Sequence, residues 1–105
     1  MPNIKLSYFY RDSGNYKNFG SVVFANSCNI ALSIVEKRIK SRLIDGTWFY
    51  AHHWQLPDLR FINVNESDST WHEFESVEYT ELPANTPQNV DELMLLIEKS
   101  AQPIV

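Results

Sequence analysis

The stretch that decides the fold lies near the N-terminus and reads Ile4-Lys5-Leu6-Ser7-Tyr8-Phe9-Tyr10-Arg11. Isoleucine, tyrosine and phenylalanine favour strands, and the period-2 pattern places on one face Ile4, Leu6, Tyr8 and Tyr10. The next residues, Asp12-Ser13-Gly14-Asn15, are of types that favour turns, and a second strand is predicted over 18–25. The two runs predict a β-hairpin whose loop is longer than the tightest type.

The clearest helix follows the hairpin. Its apolar stripe at helical spacing consists of Leu32, Val35, Ile39 and Leu43. Ser33 and Glu36 fit a capping box, in which each side chain satisfies the other residue's exposed backbone N–H. Asp45-Gly46 is predicted to close the helix, because glycine readily adopts the left-handed conformation of a C-terminal cap.

The second half of the chain predicts three more strands and another helix. The strands cover 47–54, 59–64 and 71–80, with a break at Leu56-Pro57-Asp58 and a polar connection over 65–70. Asn89-Val90-Asp91-Glu92 resembles a helix start with acidic residues in its first turn. The helix is predicted to end near Ser100, with an apolar face formed by Leu93, Met94, Leu96, Ile97 and Ala101.

The predicted order is therefore β-β-α-β-β-β-α. We expect one α+β domain over residues 1–105, with an antiparallel sheet of four or five strands and two helices on one face. This two-layer arrangement buries every apolar stripe of the predicted elements.

Composition limits the class of protein. The chain has 105 residues, 44% of them hydrophobic, and a net charge of −4, which favours a packed core over disorder. A single cysteine, Cys28, excludes an intrachain disulfide, and we interpret it as a small apolar residue rather than a nucleophile. No apolar run is long enough for a membrane span, and Met1–Lys5 lacks a signal-peptide pattern, so we expect a cytoplasmic protein without a membrane partner.

Three histidines are candidate metal ligands. One of His52 and His53, together with His72 and an acid such as Asp58 or Glu73, would make a divalent-metal site. Adjacent residues on a strand point to opposite faces, however, so the two neighbouring histidines are not expected to act together. We therefore favour partly exposed histidines beside tryptophans, with no metal and no cofactor.

The hairpin offers a candidate ligand site, made of Tyr10, Arg11, Asp12, Tyr16 and Lys17. Two cations among tyrosines would hold an anion or a nucleotide base by combining charge with stacking. The alternative, which we favour, is a loop braced by an Arg11–Asp12 or Lys17–Asp12 pair, with the tyrosines packed on the sheet.

Two other surfaces suggest macromolecular partners. The basic arc of the first helix, Lys37, Arg38, Lys40 and Arg42, suits a phosphate backbone, although such an arc is usually a solvated face and the acidic net charge disfavours nucleic acid. The aromatic segment with Trp48, Tyr50 and Trp54 suits an interface with a protein partner or a second copy, although core packing is the commoner role of each ring.

Four segments resemble those of a group of small bacterial proteins of about this length, in the same order. They are Ser7–Asp12, Asn15-Tyr16-Lys17, Leu43-Ile44-Asp45-Gly46 and Trp71-His72-Glu73-Phe74. The resemblance extends to about Thr80. It implies a self-contained bacterial domain and carries no activity, ligand or catalytic residue to this chain.

No nucleophilic triad, phosphate-binding glycine loop or catalytic carboxylate pair is recognisable, so no catalytic residue is assigned. The leading hypothesis is a non-enzymatic protein-interaction module that self-associates as a homodimer. One alternative is a small ligand-binding or hydrolytic enzyme that uses the Tyr8–Lys17 hairpin and the three histidines. A second is nucleic-acid binding through the Lys37–Arg42 helix face.

Overall fold

The computed structural model describes residues 2–12, 14–60 and 71–99. In chain order the elements are β1 (Asn3–Arg11), β2 (Lys17–Phe24), α1 (Leu32–Ser41), β3 (Trp48–Phe49), a 3-10 helix (Ala51–Trp54), β4 (His72–Thr80) and α2 (Val90–Lys99). The strands form one antiparallel sheet in the order β2-β1-β4-β3. The α+β class, the antiparallel sheet and the two helices are confirmed.

The N-terminal hairpin forms as its period-2 pattern predicts. All four residues of the predicted apolar face of β1 are at most 1% exposed. The ladder to β2 runs from Ile4↔Phe24 to Arg11↔Lys17. In the loop, the Asp12 carboxylate accepts hydrogen bonds from the N–H groups of Gly14 and Tyr16, both at 2.9 Å. This carboxylate therefore braces the turn through backbone groups rather than through Arg11 or Lys17.

Both helices contribute to the core that covers the inner face of the sheet. Val35 and Ile39 of α1 and Leu93 and Ile97 of α2 belong to the same buried cluster as Ile4, Leu6 and Tyr8 of β1. The predicted stripe of α1 is therefore correct, with its end residues Leu32 and Leu43 packed against this cluster. The face of the sheet that contacts the helices is termed the core face, and the opposite face is the outer face.

The predicted ends of α1 are wrong. The helix begins at Leu32, its N-cap is Ala31, and no side chain caps it, so Ser33 and Glu36 do not form a capping box. The Leu32 N–H instead donates to the Tyr79 hydroxyl of β4 at 2.9 Å. The helix ends at Ser41, before the left-handed Asp45-Gly46 pair (φ 52° and 70°), which turns the chain between Ile44 and Trp48.

The start of α2 agrees more closely with its prediction. The helix begins at Val90, and its first turn contains Asp91 and Glu92. The Glu92 carboxylate accepts a hydrogen bond from the Asn89 N–H at 3.1 Å. This contact is the glutamate half of a capping box and satisfies a backbone donor at the helix start.

The predicted strand over 47–54 is correct only for Trp48 and Phe49. After Phe49 the chain turns into the 3-10 helix, because the Trp54 ring folds back and stacks on Phe49 with centroids 4.4 Å apart. Leu59 and Arg60, predicted as strand, are irregular. The rest of that prediction (61–64), the polar connection (65–70) and the end of the last helix (100–101) lie outside the described residues.

Candidate functional site

The outer face of the sheet is open at the end near the hairpin loop. Its ladder pairs place side by side Phe19 of β2, Phe9 of β1, Glu73 of β4 and Trp48 of β3. Farther along the same face, Ser7 and Val23 are buried. We call the open part the aromatic face, which consists of Phe9, Arg11, Lys17, Phe19, Trp48, Trp71 and Glu73.

Four rings form two pairs on the aromatic face. The Phe9 and Phe19 centroids lie 5.1 Å apart, and the Trp48 and Trp71 rings stack at 5.7 Å. Phe19 is 57% exposed and Trp71 37%. Large rings exposed in neighbouring positions form an apolar patch that water solvates poorly.

An ion pair separates the two ring pairs. Arg11 Nε lies 2.9 Å from Glu73 Oε2, and a second nitrogen of the same guanidinium lies 3.4 Å from Oε1. Arg11 also donates to the Asn15 side-chain oxygen at 2.8 Å. A cavity of about 440 Å³ adjoins this ion pair and is lined by Arg11, Thr47, Trp48, Trp71 and Glu73.

The five candidate ligand-binding residues of the hairpin do not converge. Tyr10 is fully buried on the core face, while Arg11 is held by Glu73 on the outer face. Asp12 is used by the turn, and Tyr16 and Lys17 are exposed. The structure therefore distributes this set between the core, the turn and the aromatic face.

The candidate interface residues also separate. Trp54 is 1% exposed in the core, so it is not part of the accessible surface, whereas Trp48 lies on the aromatic face. Tyr50 packs against His52, His53 and Trp71, with centroid distances of 5.9, 5.1 and 6.2 Å. Sequence reasoning missed Phe9, Phe19 and Trp71, although the first strand's alternation placed Phe9 opposite its core residues, and it considered Glu73 only as a metal ligand.

The adjacent histidines lie together rather than on opposite faces. Because Ala51–Trp54 is a 3-10 helix, the His52 and His53 rings meet edge to face with centroids 4.5 Å apart. The prediction that they diverge was wrong for this reason. Burial, and secondarily the charge of His52, hold the pKa of His53 below its ordinary value.

His52 also lines a second cavity of about 210 Å³, with Ala51, Asp58, Arg60 and His72. His72 is 1% exposed, and its Nε2 accepts the Leu59 N–H at 3.0 Å, so the proton of the neutral ring is on Nδ1. Burial lowers the pKa of His72 and outweighs the opposing effect of Asp58, whose Oδ1 lies 3.5 Å from Nε2.

Asp58 has a cationic partner of its own. Arg60 Nε donates to both of its oxygens, at 3.1 and 2.9 Å, and these hydrogen bonds lower the pKa of Asp58. The lone pair of His72 Nε2 and the charge of Asp58 are therefore both engaged within the fold. Within residues 2–12, 14–60 and 71–99, no group of three or more His, Cys, Asp or Glu side chains is arranged to hold a metal ion.

The basic arc of α1 is partly neutralised. Arg38 pairs with Glu98 of α2 at 2.8 Å, and Lys40 pairs with Glu36 one turn away at 3.2 Å. Arg38 therefore joins the two helices instead of presenting an unpaired charge.

In the part of the chain that the structure describes, no helix is long and apolar enough to cross a membrane. Comparison with protein-family models, curated proteins and solved structures finds no match to the chain. The fold and its surface thus define a small α+β domain whose sheet has one face packed on helices and one open aromatic face.

Proposed function

We propose that this protein is a non-enzymatic protein-interaction module that self-associates through the aromatic face. The observation that carries the proposal is the exposure of Phe19 and Trp71 on a sheet face beside Trp48 and Arg11. Tryptophan, phenylalanine and arginine are enriched at protein interfaces, where aromatic rings bury much area and lose little conformational entropy.

The charges of the aromatic face favour protein over nucleic acid. Arg11 is held by Glu73 and Asn15, so it is not free to replace counterions along a phosphate backbone. Glu73 of β4 also lies on this face, in register with Phe9 and Trp48. A polyanion would meet its carboxylate next to the rings, whereas a protein surface of mixed charge would not be repelled.

The distribution of charge favours a second copy as the partner. The cations Arg11 and Lys17 lie on β1 and β2, whereas the Glu73 carboxylate lies on β4, on the other side of the face. A two-fold axis parallel to the strands and passing over β1, between two such faces, would place β2 of one copy over β4 of the other. Lys17 would then approach the Glu73 carboxylate of the second copy, and the same patch would serve both subunits.

The proposal is tested by sedimentation velocity over a range of protein concentrations. Phe19→Ser removes the most exposed ring of the face and should shift the protein to the monomer. Leu95→Ser is the matched control, since Leu95 is similarly exposed (53%) but lies on α2. A monomer at every concentration for the unchanged protein, or dimerisation lost equally in both variants, would contradict the proposal.

The enzyme alternative has one supporting observation, the cavity shared by His52, Asp58, Arg60 and His72. Arg60 holds Asp58, and the Leu59 N–H occupies His72 Nε2. A general base or a metal ligand needs a lone pair that is available to the substrate or the ion. The cavity therefore supports chemistry less well than the aromatic face supports association.

A further inference from the structure

β2 forms one edge of the sheet, and part of that edge, which we call the free edge, pairs with no strand in residues 2–12, 14–60 and 71–99. The Val23 N–H and C=O point away from β1, because both bond to Asn85 instead. Backbone groups alternate in direction along an antiparallel strand, so those of Lys17, Phe19 and Ser21 also point away from β1. Among the described residues, nothing else hydrogen bonds to these three outward-pointing positions.

Asn85 forms hydrogen bonds with this edge of the kind that a neighbouring strand would form. Its side-chain oxygen accepts the Val23 N–H at 2.9 Å, and its own N–H donates to the Val23 C=O at 3.0 Å. One residue thus satisfies the edge at Val23 in the way a paired strand would. The ladder stops there, with Ser21 the next outward-pointing position along β2.

A groove lies beside the free edge at this point. Its volume is about 530 Å³, and its lining includes Ser21, Val22, Leu56, Pro57, Asn85 and Pro87. His52, Gln55 and Thr86 complete the described lining, in which no carboxylate, ammonium or guanidinium group occurs. Because Val22 and Leu56 belong to the core cluster, the groove lies on the core-face side of the strand.

We infer that the free edge of β2 binds an extended peptide segment of a partner protein by strand addition. Three outward-pointing residues would supply the backbone hydrogen bonds, and side chains of alternate peptide residues would enter the groove. Those side chains are apolar, to match Val22, Leu56 and Pro87. On the other side of the added strand, an acidic residue would face Lys17.

A second copy of this domain fits the edge poorly. In a two-fold pairing of β2 with β2 centred on Phe19, Asn18 of the second copy would lie opposite Gly20. On the core-face side, where the groove lies, the second copy would then present an asparagine and a glycine instead of apolar side chains. A single extended peptide can carry apolar residues at these positions, and the edge is distinct from the aromatic face that we propose for self-association.

The inference is tested by selecting short linear peptides from a display library against the whole protein and measuring their binding by fluorescence polarisation. Ser21→Pro removes an outward donor and leaves the bonds to β1 intact, because proline is tolerated where an edge N–H faces solvent. It should weaken binding at least about tenfold, equivalent to a well-formed hydrogen bond. Ser21→Ala keeps the donor and should bind normally.

A second measurement uses the unchanged protein. N-methylation of the peptide at the residues that face β2 should abolish binding, and the unmodified peptide should slow amide exchange at Lys17, Phe19 and Ser21. Phe19→Ser should bind peptide normally even though it no longer dimerises, which separates this inference from the proposed function. A library without binders, binding that survives N-methylation, or slow exchange caused by protein concentration alone would overturn the inference.

Discussion

His72 connects parts of the chain that are distant in sequence. Its ring contacts Tyr8 and Tyr10 of β1 and Phe49 of β3, with centroids 5.3–6.2 Å apart. Its Nε2 accepts the N–H of Leu59, which follows the 3-10 helix. Protonation would remove that acceptor and place a charge among aromatic rings. The neutral ring is therefore the form on which the native packing depends.

The stability of the protein should fall in mild acid. Because the pKa of His72 is lowered in the folded state, the unfolded chain takes up a proton first as the pH decreases. The contribution of the neutral ring is complete above the ordinary histidine pKa of about 6.5 and is lost progressively below it. We expect the free energy of unfolding in urea to fall by up to about 1.4 kcal/mol per pH unit in that window.

The variant His72→Phe isolates this contribution. It keeps a ring but leaves the Leu59 N–H without its acceptor, so it should be less stable near neutral pH. Its unfolding free energy should also depend less on pH below about 6.5. The pH dependence of the unfolding free energy is compared with that of His53→Asn, because the pKa of His53 is also lowered but its side chain is less buried. An unchanged slope in His72→Phe would contradict the prediction.

Individual side chains also show where sequence reasoning stops. The sequence pointed to the aromatic segment as one candidate interface, but its rings occupy different environments, with Trp54 in the core and Trp48 on the aromatic face. No local pattern separates them, because the difference arises from the stacking of Trp54 on Phe49. Likewise, the meeting of Trp71 with Trp48 depends on the pairing of β3 with β4, which only the folded chain establishes.

At the scale of elements, β1 was the most predictable because a single period-2 pattern decides both its conformation and its buried face. The 3-10 helix was missed because aromatic and polar residues alternate through 47–54 as they would in a strand. β3 pairs with β4 at Trp48 and Phe49, and beyond Phe49 the described residues provide no ladder partner that would keep the chain extended. Tertiary contacts, rather than propensity, decide that segment.

The N-terminus of α1 offers a direct test of the observed helix boundary. Ala31 has the extended backbone of an N-cap (φ −66°, ψ 137°) but no side-chain acceptor. Ala31→Ser should therefore stabilise the protein by about 1 kcal/mol through a hydrogen bond to the first turn. Ser33→Ala should change stability little, since Ser33 does not cap the helix. The midpoints of urea unfolding measure both effects, and the reverse ranking would favour the capping box predicted from the sequence.

At the scale of the whole molecule, the sheet has two unlike faces. Helices α1 and α2 and the 3-10 helix close the core face, whereas the aromatic face is open at the hairpin end. The three tryptophans report on these environments, because Trp54 is buried, Trp48 is half-buried and Trp71 is exposed. Accessibility of the indoles to a neutral quencher therefore measures whether the open face becomes covered.

Acrylamide quenching of tryptophan fluorescence should depend on protein concentration if the aromatic face is the surface of self-association. In dilute solution Trp48 and Trp71 should be quenched, while Trp54 stays protected. In concentrated solution all three should be protected, because the faces cover each other. Phe19→Ser should keep the dilute pattern at every concentration, whereas Leu95→Ser should behave like the unchanged protein. Association without added protection would mean that copies meet through another surface, because burial of the aromatic face necessarily shields Trp71.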